Sequence, residues 1–303
     1  MAKLPNLKEL VLRDTPFASL MQRRVYNVLL IATKYDAFML EDDGHVDWQI
    51  FNEYNALGLR YPPRFTQVTT EEEAMEMLAD RHFELIIVMP NMDNRDTFAT
   101  ARNIRALYPD TTIVVLTPFS REVSIRFGRE DLTGIDYVFS WLGNSELLLA
   151  IIKLIEDRWN AARDSEAAGV QNILLVEDSV RFYSSTLPYL YSFVLKQSRI
   201  FSEEALNDQL KTMRMRGRPK ILLARSYEEA AELFDAFSEN ILGVISDMSF
   251  NRGGRKDKLA GLRLGEYIRQ RDRHIPIILE SSEDDNAAHA ASLGASFISK
   301  NSK

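Results

Sequence analysis

The 303-residue chain contains no cysteine, which excludes disulfide bonds, cysteine-based zinc sites and thiol nucleophiles. Histidine is also scarce. The four histidines, His45, His82, His274 and His289, have neither metal-ligand spacing nor a neighbouring acidic pattern. We therefore expect them to be surface or partly buried residues with no role as metal ligands or phosphorylation sites.

Long apolar runs and an excess of positive charge are missing as well. The longest apolar stretches, such as residues 147–152, are far shorter than the roughly 20 residues that span a bilayer. The N-terminus carries no apolar signal core. Lys and Arg number 37 against 44 Asp and Glu, a formal net charge of −7, which argues against a dedicated nucleic-acid binder. The expectation is a cytoplasmic protein that binds neither membrane nor nucleic acid.

What the chain does have is a regular alternation of short apolar runs and helical stretches. In the first half, runs rich in Val, Ile and Leu occupy residues 25–32, 65–68, 85–89, 113–117 and 137–141. In the second half they occupy residues 173–176, 220–224, 241–247, 275–279 and 296–300. Apolar strands that alternate with helices are typical of a parallel sheet covered on both faces. The predicted fold class is α/β, with one doubly wound, five-stranded parallel sheet in each half.

The two halves also align with each other. NVLLIATKYD (27–36) matches NILLVEDSVR (172–181), and ELIIVMPN (84–91) matches LGVISDMS (242–249). Two later segments follow in the same order, residues 112–118 on 276–282 and residues 134–140 on 294–300. Agreement in order, spacing and strand-end residues predicts a tandem repeat of one fold.

Composition suggests where the domains begin and end. RDSEAAG (163–169) is polar, small and aperiodic, and so it is the best linker candidate. The predicted division is a helical extension over 1–22, a first domain over 23–162, a linker over 163–170 and a second domain over 171–303. Residues 144–159 close the first domain with a helix that has no counterpart after the second, and we therefore expect the chain to be a fragment of a longer protein.

The second domain also has a long segment between its first and second strands. A mostly helical insertion over about 185–218 is predicted there, with Leu187, Leu190, Val194, Leu206, Leu210 and Met213 as an apolar stripe. Pro188 is expected to interrupt this helix because it lacks a backbone N–H. The aromatic residues of this segment, among them Tyr189 and Phe193, are candidates for core packing or for a homodimer surface.

Reactive groups in open α/β sheets collect at the carboxyl ends of the strands. In the second half the residues at these ends are Glu177, Asp178, Asp247, Ser281 and Lys300. Converging carboxylates repel one another unless a cation lies between them, and oxygen ligands of this kind suit Mg²⁺. A carboxylate beside such an ion is able to attack a phosphoryl donor and become an aspartyl phosphate. Lysine and serine would then contact the phosphoryl oxygens.

The segments LLVEDS (174–179), ISDMS (245–249), ILESS (278–282) and FISK (297–300) resemble the signature segments of two-component receiver domains. The resemblance implies that Asp247 accepts the phosphoryl group and that Glu177, Asp178 and the Ser249 carbonyl hold Mg²⁺ with it. It also implies that Ser281 is the switch hydroxyl, Lys300 the phosphate-pairing lysine and Phe297 the mobile aromatic. The insertion and Asn301, where the family usually has proline, depart from the pattern. The alternative is a set of ordinary strand-end residues that cap helices.

The first half resembles the same family but lacks its reactive residues. Ala32 and Thr33 occupy the positions of the acidic pair, Met89 that of the phosphoacceptor and Ser140 that of the lysine. Thr117 and Tyr137 remain at the switch positions, where we expect structural roles. Without carboxylates this half has neither a metal site nor a nucleophile, and it is interpreted as a pseudo-receiver.

A wider resemblance rests on TPFSREVS (117–124) and RFYSSTLPYLYSFVLKQS (181–198). These stretches resemble the N-terminal region of bacterial proteins related to phosphoenolpyruvate synthase and pyruvate phosphate dikinase. The resemblance implies downstream enzyme domains as partners. This chain has no Gly-rich nucleotide loop or phosphohistidine segment of its own.

Two basic segments add weaker signals. KTMRMRGRPK (211–220) is predicted to be a solvated helix end, with an acidic ligand as the alternative. NRGGRKDK (251–258) is predicted to be a surface turn. Alternatively, its Gly253–Gly254 pair makes it mobile beside the site, and Arg255 reaches a phosphoryl group.

Three functions remain open at this point. The first is a regulatory, non-enzymatic module that takes phosphate onto Asp247 from a histidine kinase or phosphotransfer protein. The second is a dimerisation and docking platform for a downstream phosphoenolpyruvate synthase-like enzyme, without phosphotransfer. A metal-dependent phosphatase is weaker, because no separate general acid or substrate pocket is visible in the sequence.

Overall fold

The computed structural model describes residues 19–33, 46–57, 59–90, 97–118, 132–141, 146–203 and 214–301. The predicted N-terminal extension, apart from residues 19–22, lies outside the described residues. Residues 204–213 also lie outside the described residues. They are the part of the predicted insertion that contains Leu206, Leu210 and Met213.

The first half forms a five-stranded parallel sheet with the strand order β2-β1-β3-β4-β5. Its strands are β1 (Asn27–Ile31), β2 (Arg64–Val68), β3 (Leu85–Val88), β4 (Thr112–Pro118) and β5 (Tyr137–Trp141). Its helices are α1 (Val46–Ala56), α2 (Glu71–Asp80), α3 (Thr97–Leu107) and α4 (Glu146–Ala168). Thr70 caps α2 by accepting a hydrogen bond from the Glu73 amide, which shows how local sequence begins a helix.

The second half contains β6 (Asn172–Val176), β7 (Lys220–Ala224), β8 (Ile241–Asp247), β9 (Phe250–Arg252), β10 (Arg255–Asp257), β11 (Ile277–Ser281) and β12 (Ser296–Ser299). Its helices are α5 (Val180–Glu203), α6 (Tyr227–Ala236), α7 (Ala260–Arg271) and α8 (Asn286–Ser292). Five strands form a parallel sheet in the order β12-β11-β8-β6-β7, and β9 and β10 pair separately. The predicted fold class, α/β with two five-stranded parallel sheets, is confirmed.

Strand register reproduces the sequence alignment of the halves in the centre of each sheet. Ile86 pairs with Ile113 in the first sheet, and the aligned Val244 pairs with Ile277 in the second. At the edge strands β5 and β12 the pairing register departs from the sequence alignment by one residue, because Thr117 pairs with Ser140 whereas Ser281 pairs with Ser299. In the sheet, Ser140 therefore corresponds to Ser299 and not, as predicted, to Lys300.

The segment predicted as a linker is largely helical. α4 continues through Ala168, and Gly169, with φ of +63°, ends it in the left-handed conformation that favours glycine. Only residues 169–171 then separate α4 from β6. The polar composition of residues 163–169 resembles that of a loop, but Asp164 and Ser165 are buried.

Buried polar side chains on α4 hold the segment that enters β1. The Glu156 carboxylate accepts a hydrogen bond from the Val25 amide, and Asn160 bonds both the amide and the carbonyl of Arg23. Each polar group thus has a partner, which removes the cost of burying it.

α5 is continuous through Pro188, contrary to the expected interruption. Its buried face, which includes Leu187, Tyr191 and Leu195, belongs to one apolar cluster with residues of β1, β3, β4 and α4. Burial of this face offsets the hydrogen bond that proline cannot make. The two halves therefore share a core, and α4 and α5 pack together between them.

None of the helices in the described part of the chain combines the length and apolar character needed to cross a membrane.

Candidate functional site

Three carboxylates converge at the carboxyl end of the second sheet. Glu177 and Asp178 directly follow β6, and Asp247 ends β8, which is its neighbour in the sheet. Each of the three offers an oxygen within 4.8 Å of the others. The chain direction of parallel strands brings these groups to one edge although they are far apart in sequence.

Lys300, immediately after β12, joins two of these carboxylates. Its Nζ atom lies 2.5 Å from Glu177 Oε2 and 2.8 Å from Asp247 Oδ1. The ammonium group also lies 4.2 Å from the centre of the Phe182 ring, on α5. Burial opposes its charge, but the carboxylates of Glu177 and Asp247 outweigh that effect and hold the pKa of Lys300 above its usual value.

Burial raises the pKa of two glutamates at this edge of the sheet, Glu177 and Glu280. Burial and then the neighbouring Asp247 carboxylate raise the pKa of Glu177 to about 7, against the opposing effect of Lys300. Burial also raises the pKa of Glu280, which pairs with Asp247 in the sheet. Glu280 was not among the residues predicted for the site, although its position just before Ser281 at the end of β11 was a usable signal.

A β-hairpin made of β9 and β10 contacts the site through Lys256. The Lys256 Nζ atom lies 2.7 and 3.0 Å from the two Asp178 oxygens, and the Asn251 amide donates to Asp178 at 3.1 Å. Lys256 was missed by the sequence analysis, which considered Arg255 instead. Strand alternation explains the difference, since adjacent residues of β10 point to opposite sides.

Gly253 and Gly254 form the turn of this hairpin, with φ of +59° and +73°. Positive φ at both central residues is the geometry of a tight two-residue hairpin turn. The Gly253 amide donates to Glu228 Oε1 at 2.9 Å, which ties the turn to α6. The predicted surface turn is thus present at Gly253 and Gly254, and the strands β9 and β10 on either side of it make the segment a hairpin.

The remaining residues proposed for the site lie near its edge. Ser281 ends β11, is buried, and its Oγ atom accepts hydrogen bonds from the Glu283 amide at 3.0 Å and from Asn286 Nδ2 at 2.8 Å. Phe297 lies on β12 and packs against the core of the second half. Ser249 lies in the bend that follows β8.

Helix α7 approaches the site at a glycine. A Cβ atom on Gly261 would lie 2.3 Å from the Asp247 carbonyl oxygen and 3.0 Å from Met248 Cα. The Gly261 amide donates to the Met248 carbonyl at 3.0 Å. The absence of a side chain at this position therefore allows α7 to support the end of β8.

The donor set fits a hard divalent cation. Three carboxylates with a buried member and with oxygen atoms this close are the ligands that Mg²⁺ prefers, and the two nearby lysines lessen the repulsion among them. Glu177, Asp178 and Asp247 are therefore the residues that would hold the ion.

The first-half residues that the sequence alignment assigned to these positions do not form a second cluster of carboxylates. Ala32 and Met89 are buried in the shared core. Ser140 is buried, its amide donates to Ser184 Oγ at 2.9 Å, and its own hydroxyl has no hydrogen-bond partner among the described residues. Thr117 is buried, and the Tyr137 hydroxyl accepts a hydrogen bond from Arg158 at 2.8 Å.

No protein-family model matches the chain, and no curated protein matches it. Similar solved structures include a two-component system response regulator/GGDEF domain protein, at 14% identity and a TM-score of 0.36 over 92% of this chain and 93% of that one. The signal receiver domain of an HD domain-containing protein from Pseudomonas fluorescens Pf-5 matches at 18% identity and a TM-score of 0.32, over 47% and 94%.

The BeF3-activated DrrB receiver domain matches at 17% identity and a TM-score of 0.31, over 44% of this chain and 97% of its own. Since none of these three structures is related by its description to phosphoenolpyruvate synthase, that resemblance stays a prediction.

Proposed function

We propose that the second half is a magnesium-dependent phosphoacceptor domain and that Asp247 receives the phosphoryl group. The observation that supports this most directly is the convergence of Glu177, Asp178 and Asp247 within 4.8 Å, with Lys300 bonded to Asp247. A nucleophilic carboxylate, a set of metal ligands and a paired cation are the groups that phosphoryl transfer to aspartate requires.

In the proposed reaction an Asp247 oxygen attacks the phosphorus atom of a phosphohistidine on the donor protein. A P–O bond forms while the P–N bond breaks, and its electron pair returns to the imidazole nitrogen. Lys300, already 2.8 Å from Asp247, then contacts the transferred phosphoryl group. When bound, Mg²⁺ supplies positive charge that lessens the repulsion between the carboxylate and the phosphoryl oxygens.

The donor is inferred to be a histidine kinase or a phosphotransfer protein. After transfer, the Ser281 hydroxyl would exchange its present bonds with Glu283 and Asn286 for one to the phosphoryl group. That exchange would alter the face formed by β11 and β12, where Phe297 lies.

Phosphorylation is tested by incubating the chain with Mg²⁺ and acetyl phosphate and measuring its intact mass. One added phosphate is expected on the wild type, and none on Asp247→Asn, which lacks the nucleophilic carboxylate. Asp284→Asn is the matched control, because Asp284 is exposed and lies outside the carboxylate cluster. An adduct that persists in Asp247→Asn would contradict the assignment.

A docking platform without phosphotransfer is the competing function. It is favoured by the first half, where the apolar Ala32 and Met89 stand at the carboxylate positions. If Mg²⁺ binds with no adduct in the mass experiment, the platform becomes the better explanation. The homodimer likewise remains a proposal, with exposed Tyr189 and Phe193 of α5 as its candidate surface.

A further inference from the structure

A cavity of about 340 Å³ lies at the junction of the two halves. Among its lining residues, Arg24 and Arg60 precede β1 and β2, and Arg216 and Arg218 precede β7. The carboxylate cluster, in contrast, follows the strands. The cavity is therefore at the amino ends of the strands, away from the proposed phosphorylation site.

Basic side chains dominate the cavity. Its lining contains one acidic residue, Glu203, and six basic ones: Arg24, Arg60, Lys153, Arg199, Arg216 and Arg218. Arg199 pairs with Glu203 at 3.4 Å. The buried Arg218 and Lys153 pair with acids behind the wall, Asp157 at 2.8 Å and Glu156 at 2.7 Å.

These ion pairs leave part of the positive charge of the cavity lining without a counter-charge. Among the described residues, no carboxylate forms an ion pair with Arg24 or with the exposed Arg60. Basic groups gathered in a concave, partly enclosed site attract anions, because low-dielectric walls strengthen their field.

The backbone around the cavity is strained. Met21, with φ of +54°, and Tyr61, with φ of +61°, are the non-glycine residues with positive φ in the described part of the chain, and both line this cavity. Such conformations are unfavourable for residues with a Cβ atom. They concentrate at functional sites, where the surrounding structure imposes them.

We propose that this cavity binds a nucleotide with two or more phosphate groups. The arginine guanidinium groups suit phosphate oxygens, with which they form paired hydrogen bonds. Met21, Leu57, Leu59 and Met215 provide an apolar wall for the base, and the Tyr61 ring, 67% exposed, is available for stacking on it. The volume falls within the range of small-molecule sites.

Calorimetric titration of the full chain with ADP, pyrophosphate and adenosine, without Mg²⁺, tests the proposal. ADP is expected to bind at least tenfold more tightly than either fragment, because it alone engages both parts of the cavity. In the double variant Arg24→Ala/Arg60→Ala, the loss of charged contacts weakens ADP binding roughly tenfold or more.

Two further variants separate the parts of the site. Tyr61→Gly, which suits the positive φ, should weaken ADP binding and leave pyrophosphate binding unchanged. Arg64→Ala removes an exposed arginine on β2 outside the cavity and should leave ADP binding unchanged.

Absence of ADP binding at millimolar concentration would overturn the proposal. So would equal affinities of the double variant and Arg64→Ala, since the cavity arginines would then contribute nothing specific. Pyrophosphate binding as tight as that of ADP would rule out recognition of a nucleotide. Circular dichroism of each variant verifies that the fold is retained. Acetyl phosphate labelling reports on Asp247 and requires Mg²⁺, whereas the ADP titration reports on the cavity and is done without Mg²⁺. A failure of the proposed phosphorylation is therefore distinguishable from a failure of nucleotide binding.

Discussion

Individual residues distinguish the two halves at the carboxyl ends of their strands. In the second half Asp247 lies beside two further carboxylates and Lys300, whereas Met89 stands at the aligned position of the first half and is buried in the core. A buried methionine stabilises by removing apolar surface from water. The same fold position thus holds a carboxylate of the acidic cluster in one half and a packing residue in the other.

Ser140 allows a further test at the residue scale, because its buried hydroxyl has no hydrogen-bond partner among the described residues. Ser140→Ala removes an unsatisfied polar group, and we expect the free energy of unfolding to rise by about 1 kcal/mol. Ser184→Ala is the control, since it deprives the Ser140 amide of its acceptor and should lower stability by about 1–3 kcal/mol. Urea denaturation measures both. A loss of stability in Ser140→Ala would show that the hydroxyl is satisfied.

Lys256 supports a second prediction at the residue scale. Its ammonium group bonds both oxygens of Asp178 and so competes with a metal ion for that carboxylate. Lys256→Ala should tighten Mg²⁺ binding by a few-fold, since a half-exposed ion pair is worth up to about 1 kcal/mol.

Mg²⁺ titration by calorimetry measures this effect, with Lys258→Ala as the matched control. Lys258 is exposed and lies two residues further along the chain, so it reports the general loss of one positive charge. If both variants bind Mg²⁺ equally, the contact between Lys256 and Asp178 does not compete with the metal.

At the scale of elements, the site depends on how α7 contacts β8. The two elements approach closely at Gly261, where a Cβ atom would overlap the Asp247 carbonyl. We expect Gly261→Ala to cost about 1–3 kcal/mol of stability through overpacking and to slow acetyl phosphate labelling of Asp247. Gly243→Ala, whose Cβ atom would meet Pro276 O at 3.4 Å, is the control on the same strand. Labelling at the wild-type rate in Gly261→Ala would show that α7 does not position Asp247.

The observed bounds of the strands and helices show which elements the apolar pattern of the sequence predicts correctly. Apolar runs located the ten strands of the two five-stranded sheets within a few residues, because buried strands of parallel sheets are continuously hydrophobic. The hairpin of β9 and β10 was missed, since its residues are mostly exposed and polar. The polar end of α4 was assigned to a linker because sequence alone does not reveal that Asp164 is buried and paired with Lys220.

At the scale of the whole molecule, Asp157 joins the two halves. This fully buried residue of α4 accepts hydrogen bonds from the Tyr191 hydroxyl at 2.9 Å, from the Ile221 amide at 2.9 Å and from Arg218 at 2.8 and 3.0 Å. Its partners belong to α5, to β7 and to the segment that leads into β7. The shared core and this polar node predict that both halves unfold as one cooperative unit.

Asp157→Asn tests the coupling by scanning calorimetry. The substitution leaves Arg218 buried without its counter-charge, and we expect a loss of about 3–5 kcal/mol within a single transition. Asp235→Asn, which breaks an exposed ion pair with Arg271, should cost less than about 1 kcal/mol. Two separate transitions in the wild type would contradict a common core.

The sequence by itself determined the local features of this protein. Strand positions, the repeat and the residues at the strand ends follow from short-range apolar periodicity and from the direction of parallel strands, which holds wherever such a sheet forms. Tertiary structure alone decided that α4 and α5 pack between the halves, that Lys256 bonds to Asp178, and that arginines from separate segments line one cavity. These features depend on pairs of residues distant in the chain, and no local pattern records which of them become neighbours.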